Sequence, residues 1–93
     1  MYATVRTYSS SPELADALVS NEAAVKRLLT GIEGFRAYYL IRTTEGAVSV
    51  SVYESDQGAA ESTAAAASWI RENLPDIGGS APEVSSGEVV ISA

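Results

Sequence analysis

Residues 35–53, FRAYYLIRTTEGAVSVSVY, contain the pattern that decides the fold. The stretch Phe35–Arg42 is rich in aromatic and aliphatic side chains, which favour a β-strand. Residues 43–46 are a short polar connection ending in glycine, and Ala47–Tyr53 alternates strictly in side-chain character. Together these features predict a β-hairpin whose second strand has valines on one face and serines on the other.

A strand and a helix are predicted on the N-terminal side of this hairpin. Tyr2–Tyr8 (YATVRTY) alternates and is rich in β-forming residues. Ser11 is a suitable helix N-cap, Pro12 suits the first helical position, and Gly31 is a suitable stop. Apolar residues recur between them at helical spacing, interrupted by polar residues 21–22: Leu14, Leu18, Val25, Leu28, Leu29 and Ile32. We therefore expect one helix over this segment.

A second helix and a fourth strand are predicted on the C-terminal side. Ser55 or Asp56 can cap an alanine-rich helix that runs to about Asn73 and ends before Pro75. At helical spacing, one stripe of this helix lies nearly opposite Trp69 and comprises Ala60, Thr63, Ala64, Ala67, Ile70 and Leu74. Residues 83–92 predict a strand centred on the apolar residues 89–91.

The element order β-α-β-β-α-β predicts a single α+β domain over residues 1–93. This is the ferredoxin-like arrangement, in which right-handed crossovers put both helices on one face of an antiparallel four-stranded sheet. In a monomer, Val48, Val50 and Val52 would face the helices while Ser49 and Ser51 faced water. In a dimer that pairs two sheets, both faces are buried and this assignment can invert.

Composition excludes several classes of function. The chain has no cysteine and no histidine, which removes disulfides, thiolate metal sites, Ser-His-Asp catalysis, histidine-ligated heme and the usual catalytic zinc. A net charge of −6 with few cations argues against nucleic-acid binding. No apolar run approaches the roughly 20 residues that cross a membrane, and residues 1–10 do not resemble a signal peptide. We expect a cytoplasmic protein.

Three short motifs carry a resemblance to a known family. They are Gly34-Phe35 after the first helix, Tyr38-x-Leu40-x-Arg42 on the next strand, and residues 53–56 (YESD) at the start of the second helix. In this respect the chain resembles the antibiotic-biosynthesis monooxygenase family. The resemblance implies a homodimer whose two sheets meet face to face as an α/β barrel, with a ligand cavity between each sheet and its helices. Some members oxygenate polycyclic phenols without metal or cofactor, and others degrade heme.

The heme-degrading branch is not matched by this sequence. Its members share an Asn on the first strand, a Trp about eight residues after the Glu that precedes the second helix, and a His further along. Here the first-strand position is Arg6, and the residue eight positions after Glu54 is Ser62. The chain contains no His. The resemblance therefore does not imply heme degradation, and it implies no cofactor.

The candidate site lies where the first and third strands are neighbours. A phenolate could be stabilised by Arg6 and positioned by hydroxyl groups, and the alanines of the second helix would leave space above them. The candidate substrate-binding residues are Arg6, Tyr8, Ser49, Ser51, Tyr53 and Trp69. Trp69 could instead contact a dimer partner or the last strand, and the polar residues could form a solvated or interface surface. A buried Arg6 would need an anion, supplied by Glu88 on the last strand or by a ligand.

Four functions remain open from the sequence. The first is oxygenation of an aromatic or phenolic small molecule without metal or cofactor. The second is small-molecule binding by a dimer without catalysis. The third is an isomerase or dehydratase, suggested by the fold alone, and the fourth is a regulatory or structural dimer. A polar cavity favours the first three, whereas a solid core favours the fourth.

Overall fold

The computed structural model of the chain describes residues 1–9, 12–77 and 81–93. Its strands are β1 (Tyr2–Tyr8), β2 (Phe35–Arg42), β3 (Ala47–Tyr53) and β4 (Glu83–Glu88). Its helices are α1 (Leu14–Ser20), α2 (Glu22–Thr30) and α3 (Asp56–Asn73). The Ser11 cap predicted from the sequence lies outside the described residues.

The four strands form one antiparallel sheet in the order β2-β3-β1-β4. The predicted hairpin has its expected bounds, and Gly34 turns the chain into β2 with a left-handed φ of 85°. The central pair is β1 and β3, in which Arg6 is opposite Ser49 and Val5 is opposite Val50. The ferredoxin-like α+β arrangement predicted from the sequence is confirmed.

The first helical segment is two helices rather than the single helix predicted. Asn21 lies between them with φ −114° and ψ 27°, outside helical geometry. Its side-chain Nδ2 donates to the Ala17 carbonyl at 2.8 Å, and its backbone carbonyl accepts from the Val25 amide at 3.0 Å. An asparagine side chain that bonds backbone groups in this way competes with helix continuation. The helix also begins at Leu14, two residues after the predicted start at Pro12.

Helix α3 has the predicted bounds but buries a different face. The Ser55 side chain caps it by accepting a hydrogen bond from the Gly58 amide at 3.2 Å. The residues buried against the sheet include Ala59 and Ser62, with Trp69 partly buried, whereas Ala60, Ala64 and Ala67 are exposed. The predicted stripe is therefore only partly buried: its alanines are exposed, whereas Thr63, Ile70 and Leu74 are half-buried. Alanines on every side of the helix give a weak apolar pattern, and Gly58 lies so close to the Tyr53 ring that an added Cβ would be 3.1 Å from it.

Strand β4 is shorter than predicted, ending at Glu88 instead of residue 92. Its partner β1 begins at Tyr2, which is opposite Glu88, and the Val89 amide makes one further bond to the Met1 carbonyl at 2.8 Å. The pairing of β4 with β1 ends there. Val90 and Ile91, placed at the centre of the predicted strand, are 82% and 88% exposed.

The serine face of the sheet packs against the helices, so the inverted assignment is the correct one. Ser49, Ser51 and Tyr53 are buried, whereas the three valines of β3 lie half-buried on the open face. On that open face, Tyr39 is 62% exposed and Ile41 is 48% exposed. The main apolar core lies between the sheet and the first two helices and contains Tyr8, Leu14, Ala15, Leu18, Val25, Leu29 and Ala47. In the described part of the chain, no helix has the length and apolar character to span a membrane.

Candidate functional site

Arg6 lies at the centre of the space between the sheet and α3. It is in the middle of β1, flanked by Ser49 on β3 and Val84 on β4. Its side chain points to the helix side, because alternate residues of β1 point to the same face. Only 1% of its surface is exposed, and it is the largest of the fully buried side chains.

Four neutral hydroxyl groups accept hydrogen bonds from the Arg6 guanidinium. From the sheet, Ser49 Oγ accepts from Nε at 3.0 Å, and Ser51 Oγ accepts from Nη2. From α3, Thr63 Oγ1 and Ser62 Oγ accept from Nη1 at 3.1 and 3.4 Å. The guanidinium is thus held between β3 and the second turn of α3.

The two helix hydroxyls are oriented by the backbone of α3. Ser62 Oγ donates to the Ala59 carbonyl at 2.7 Å, and Thr63 Oγ1 donates to the same carbonyl at 3.4 Å. Each hydroxyl has one hydrogen to donate, so its lone pairs are then free to accept from Arg6. A serine or threonine that bonds its own helix in this way is well suited to face a cation.

No carboxylate neutralises Arg6 among the described residues. The ion pairs found there join Glu22 to Lys26, Glu54 to Arg36 and Asp16 to Arg42, and all six side chains are largely exposed. Glu88, considered above as the partner of Arg6, is instead opposite Tyr2 and is exposed. A fully buried charge without a counter-charge is costly to maintain. Among the described residues, the charge of Arg6 is met by hydroxyl dipoles and not by a counter-charge.

An inner cavity of about 20 Å³ lies beside Arg6, with room for about one water molecule. Its walls combine the sheet, the first two helices and α3. It is lined by Arg6, Tyr8, Leu18, Val25, Leu28, Leu29, Tyr38, Ser49, Ala66, Trp69 and Ile70. Trp69, for which a dimer contact, a contact with the last strand and a place in the cavity wall were considered, is one of these lining residues.

The tyrosines around Arg6 hold their protons firmly. Burial raises the pKa of Tyr8, Tyr38 and Tyr53 above the ordinary value, and the nearby charge of Arg6 opposes this only in part. These phenols are therefore hydrogen-bond and proton donors at neutral pH rather than bases. Tyr8 and Tyr38 line the inner cavity.

Tyr53 and Ser51 are buried beneath the helices but do not line the cavity. The Tyr53 hydroxyl donates to the Leu29 carbonyl at 2.8 Å, and its ring packs edge-on against Phe35 with centroids 5.8 Å apart. Tyr53 therefore anchors α2 to the sheet, and Ser51 orients Arg6. Of the six candidates from the sequence, Arg6, Tyr8, Ser49 and Trp69 meet at the cavity.

Sequence reasoning missed three residues of this site. Ser62 and Thr63 are polar residues within an alanine-rich helix. Their position was the one feature of the sequence that indicated a polar contact between α3 and the sheet. Tyr38 shares the helix side of β2 with Leu40, but the motif in which both occur was interpreted only as a family resemblance.

An outer pocket of about 240 Å³ adjoins the inner cavity near the junction of α1 and α2. It is lined by Leu18, Val19, Glu22, Val25, Lys26, Tyr38 and Leu40. Three of these residues, Leu18, Val25 and Tyr38, also line the inner cavity. Across the described ranges, no group of three or more acidic side chains is arranged to hold a metal ion.

Solved structures share this fold over nearly the whole chain. A heme-degrader, MhuD from Mycobacterium tuberculosis, solved with two hemes in its active site, is 16% identical with a TM-score of 0.71, covering 100% of this chain and 99% of that one. A candidate antibiotic biosynthesis monooxygenase from Nitrosomonas europaea is 14% identical with a TM-score of 0.73, covering 98% and 100%. The chain has the fold of the antibiotic biosynthesis monooxygenase-like proteins.

A third structure is a monooxygenase from the gene ActVA-Orf6 of Streptomyces coelicolor, in complex with the ligand nanaomycin D. It is 20% identical, with a TM-score of 0.62, and the match covers 98% of this chain and 91% of that one. No protein-family model matches the sequence, and no curated protein matches it at a significant level. At these identities the likeness establishes the fold, and the chemistry depends on the residues of the site.

Proposed function

We propose that this protein is a monooxygenase of small phenolic aromatic compounds that needs neither a metal nor an organic cofactor. The observation that carries the proposal is the environment of Arg6. Among the described residues, a fully buried guanidinium held by four neutral hydroxyls, with no carboxylate beside it, faces a cavity walled by Tyr8, Tyr38 and Trp69. The phenolate oxygen of an aromatic substrate supplies the missing negative charge, and its ring extends past Tyr38, which also lines the adjoining outer pocket.

The charge of Arg6 prepares such a substrate for reaction with dioxygen. A buried cation favours the ionised form of a phenol, so the bound substrate loses its proton more readily than in water. The resulting phenolate is electron-rich and can transfer one electron to dioxygen. Arg6 also stabilises the negative charge that stays on the oxygen atoms during this transfer.

The complete reaction balances with the substrate as the only reductant. The phenoxyl radical and superoxide combine to form a carbon–oxygen bond at a ring carbon, and a proton from Tyr8 or Tyr38 gives the hydroperoxide. Cleavage of the oxygen–oxygen bond, with loss of the ring hydrogen, releases water and leaves a quinone. The sum is one phenol and one dioxygen giving one quinone and one water: the phenol releases its hydroxyl proton to solvent when it ionises, and the donor tyrosine takes one proton back from solvent.

We further propose that two copies of the chain pair through the open face of the sheet. Val48, Val50 and Val52 lie half-buried there beside exposed Tyr39 and Ile41. An apolar sheet face of this kind is typically covered by another layer in a stable protein. The expected partner is a second copy, in the face-to-face pairing of two sheets that the family resemblance implies. A cytoplasmic location stays a prediction.

A second function, binding without catalysis, is favoured by one observation. The titratable side chains that line the inner cavity are Arg6, Tyr8 and Tyr38, and burial raises the pKa of both tyrosines. None of them is a base at neutral pH, so deprotonation of the substrate rests on Arg6 alone. A protein that binds phenolates without oxidising them would have the same site.

Oxygen uptake with α-naphthol separates the two functions. The protein, treated with a chelator and freed of small molecules, is mixed with α-naphthol in air-saturated buffer. We expect naphthoquinone formation with one dioxygen consumed per product and loss of the activity in Arg6→Met. Arg36→Met, which changes an exposed arginine, is the matched control and should retain activity. Saturable binding without oxygen uptake would support the binding function. Absence of both binding and oxygen uptake would reject both functions.

A further inference from the structure

We propose that the outer pocket binds the ring system of the same ligand whose phenolate meets Arg6, and that Tyr38 is the movable partition between the two spaces. This inference rests on the proposed function, because it assumes an anionic group at Arg6. It adds a specificity-determining region and a gate that the Arg6 cluster alone does not contain.

The two spaces are compartments of one cleft. The inner cavity and the outer pocket share Leu18, Val25 and Tyr38 as lining residues. These three side chains therefore lie between the inner cavity and the outer pocket. The inner cavity, at about 20 Å³, accommodates little more than a phenolic oxygen, so the rings of a ligand must extend elsewhere. The outer pocket, at about 240 Å³, is the adjoining space.

Tyr38 is the shared residue best able to move. Leu18 and Val25 are only 6% and 8% exposed and belong to the main apolar core, whereas Tyr38 is half-buried and packs on the outside of that core. Tyr38 also lies on β2, which is an edge strand of the sheet. Its side chain rotates about two torsions, and rotation outward would remove a whole ring from the partition.

The chemistry of the outer pocket selects for uncharged rings. Most of its lining is apolar and comes from Leu18, Val19, Val25 and Leu40, with the Tyr38 ring at its inner end. The charged residues there, Glu22 and Lys26, neutralise each other in an exposed ion pair of 2.6 Å. The combined volume approaches the roughly 300 Å³ at the lower end of small-molecule sites, which fits a compact fused-ring phenol.

The test compares a one-ring and a three-ring phenol on variants of the outer pocket. The ligands are para-nitrophenol and alizarin, whose bound anions are both followed by visible absorbance. Val19→Trp fills the outer pocket, and Val90→Trp makes the same change at an exposed valine that lines neither space. We expect Val19→Trp to weaken alizarin about tenfold and para-nitrophenol by a clearly smaller factor, because its single ring fills less of the outer pocket. Val90→Trp should alter neither affinity.

Tyr38→Ala tests the partition separately. Removing the ring should raise the association rate of alizarin about tenfold, with a smaller increase for the slimmer para-nitrophenol. Equal effects of Val19→Trp on the two ligands, or none, would overturn the inference. In that case continued dependence of binding on Arg6 would leave the proposed function standing. Absence of binding of either ligand to the unaltered protein would overturn both.

Discussion

Arg6 Nε donates a 3.0 Å hydrogen bond to Ser49 Oγ, and the two residues are directly opposite each other in the central strand pair of the sheet. This register fixes a cation on the helix side of the sheet, where it is 1% exposed. The strand pairing sets the position of the charge, and α3 covers it with Ser62 and Thr63. The proposed chemistry follows from that position.

Removing one hydroxyl that supports Arg6 should destabilise the fold. Ser51→Ala deletes an acceptor from a buried cation, and we expect a loss of about 1–3 kcal/mol in the free energy of unfolding. Urea denaturation measures it. Ser85→Ala, at an exposed position of β4, is the control and should change stability by less than about 0.5 kcal/mol. Equal stability of the two variants would show that Ser51 does not support the charge.

Replacing the cation itself should have a different effect. Arg6→Met keeps much of the side-chain volume and removes a buried charge that lacks a counter-charge. We expect the free protein to be unchanged or more stable, because apolar replacements of buried ionic groups are often neutral or stabilising by about 1–4 kcal/mol. Thermal unfolding measures this. A large loss of stability would indicate that Arg6 is a structural residue, and the anion site would lose its main support.

Alkaline pH should destabilise the protein through its buried tyrosines. Burial raises the pKa of Tyr8, Tyr38 and Tyr53 above the ordinary value of 10.0, so the folded state holds these protons more tightly than the unfolded state. Their contribution is complete below pH 10.0 and is lost as pH rises through the raised folded-state pKa values. Urea denaturation across this range should show a falling stability, with a shallower slope in Tyr8→Phe. An unchanged slope would show that Tyr8 is not shielded from water.

Much of the fold was predictable because local patterns decided it. The strict alternation of β3 and the glycine-ended connection gave the hairpin, and the side chain of Ser55 fixed the start of α3. The end of β4 was not predictable, because it depends on where β1 begins in the pairing register. The break at Asn21 depends on one side-chain amide bond to the Ala17 carbonyl, which leaves little trace in an apolar pattern.

The candidate site was predictable only in its sheet half. Strand alternation placed Arg6 and Ser49 on one face and left open which face met the helices. The helix half depends on the rotation of α3, and alanines on every side gave no clear apolar stripe. Ser62 is nevertheless fully buried and accepts a hydrogen bond from Arg6. On the same side of α3, Gly58 packs closely against Tyr53.

Pairing through the open sheet face should be sensitive to a charge at its centre. Val50→Asp places a carboxylate among half-buried valines, and burying it between two sheets would cost several kcal/mol. We expect light scattering to give a dimer for the unaltered protein and a mass near 9.7 kDa for the variant. Ala64→Asp, on the exposed side of α3, should remain dimeric. A monomeric unaltered protein would contradict this interface.

Hemin provides a test of ligand class. The chain lacks His and Cys, and its single Met is Met1, so a common axial ligand for heme iron is missing from the sequence. Titration with hemin should give no sharp Soret band and no saturation at one or two hemes per chain. A stoichiometric and saturable spectral shift would contradict this expectation and direct attention to a tyrosinate ligand.

The most direct test is the pKa of para-nitrophenol when bound. A phenolate that meets Arg6 should be stabilised relative to the free anion, so the bound phenol should titrate at a lower pH than in buffer. Visible absorbance across a pH series measures this for the unaltered protein and for Arg6→Met. Our account predicts a lowered pKa that returns towards the free value in the variant. An unshifted pKa, or the same shift in both proteins, would contradict it.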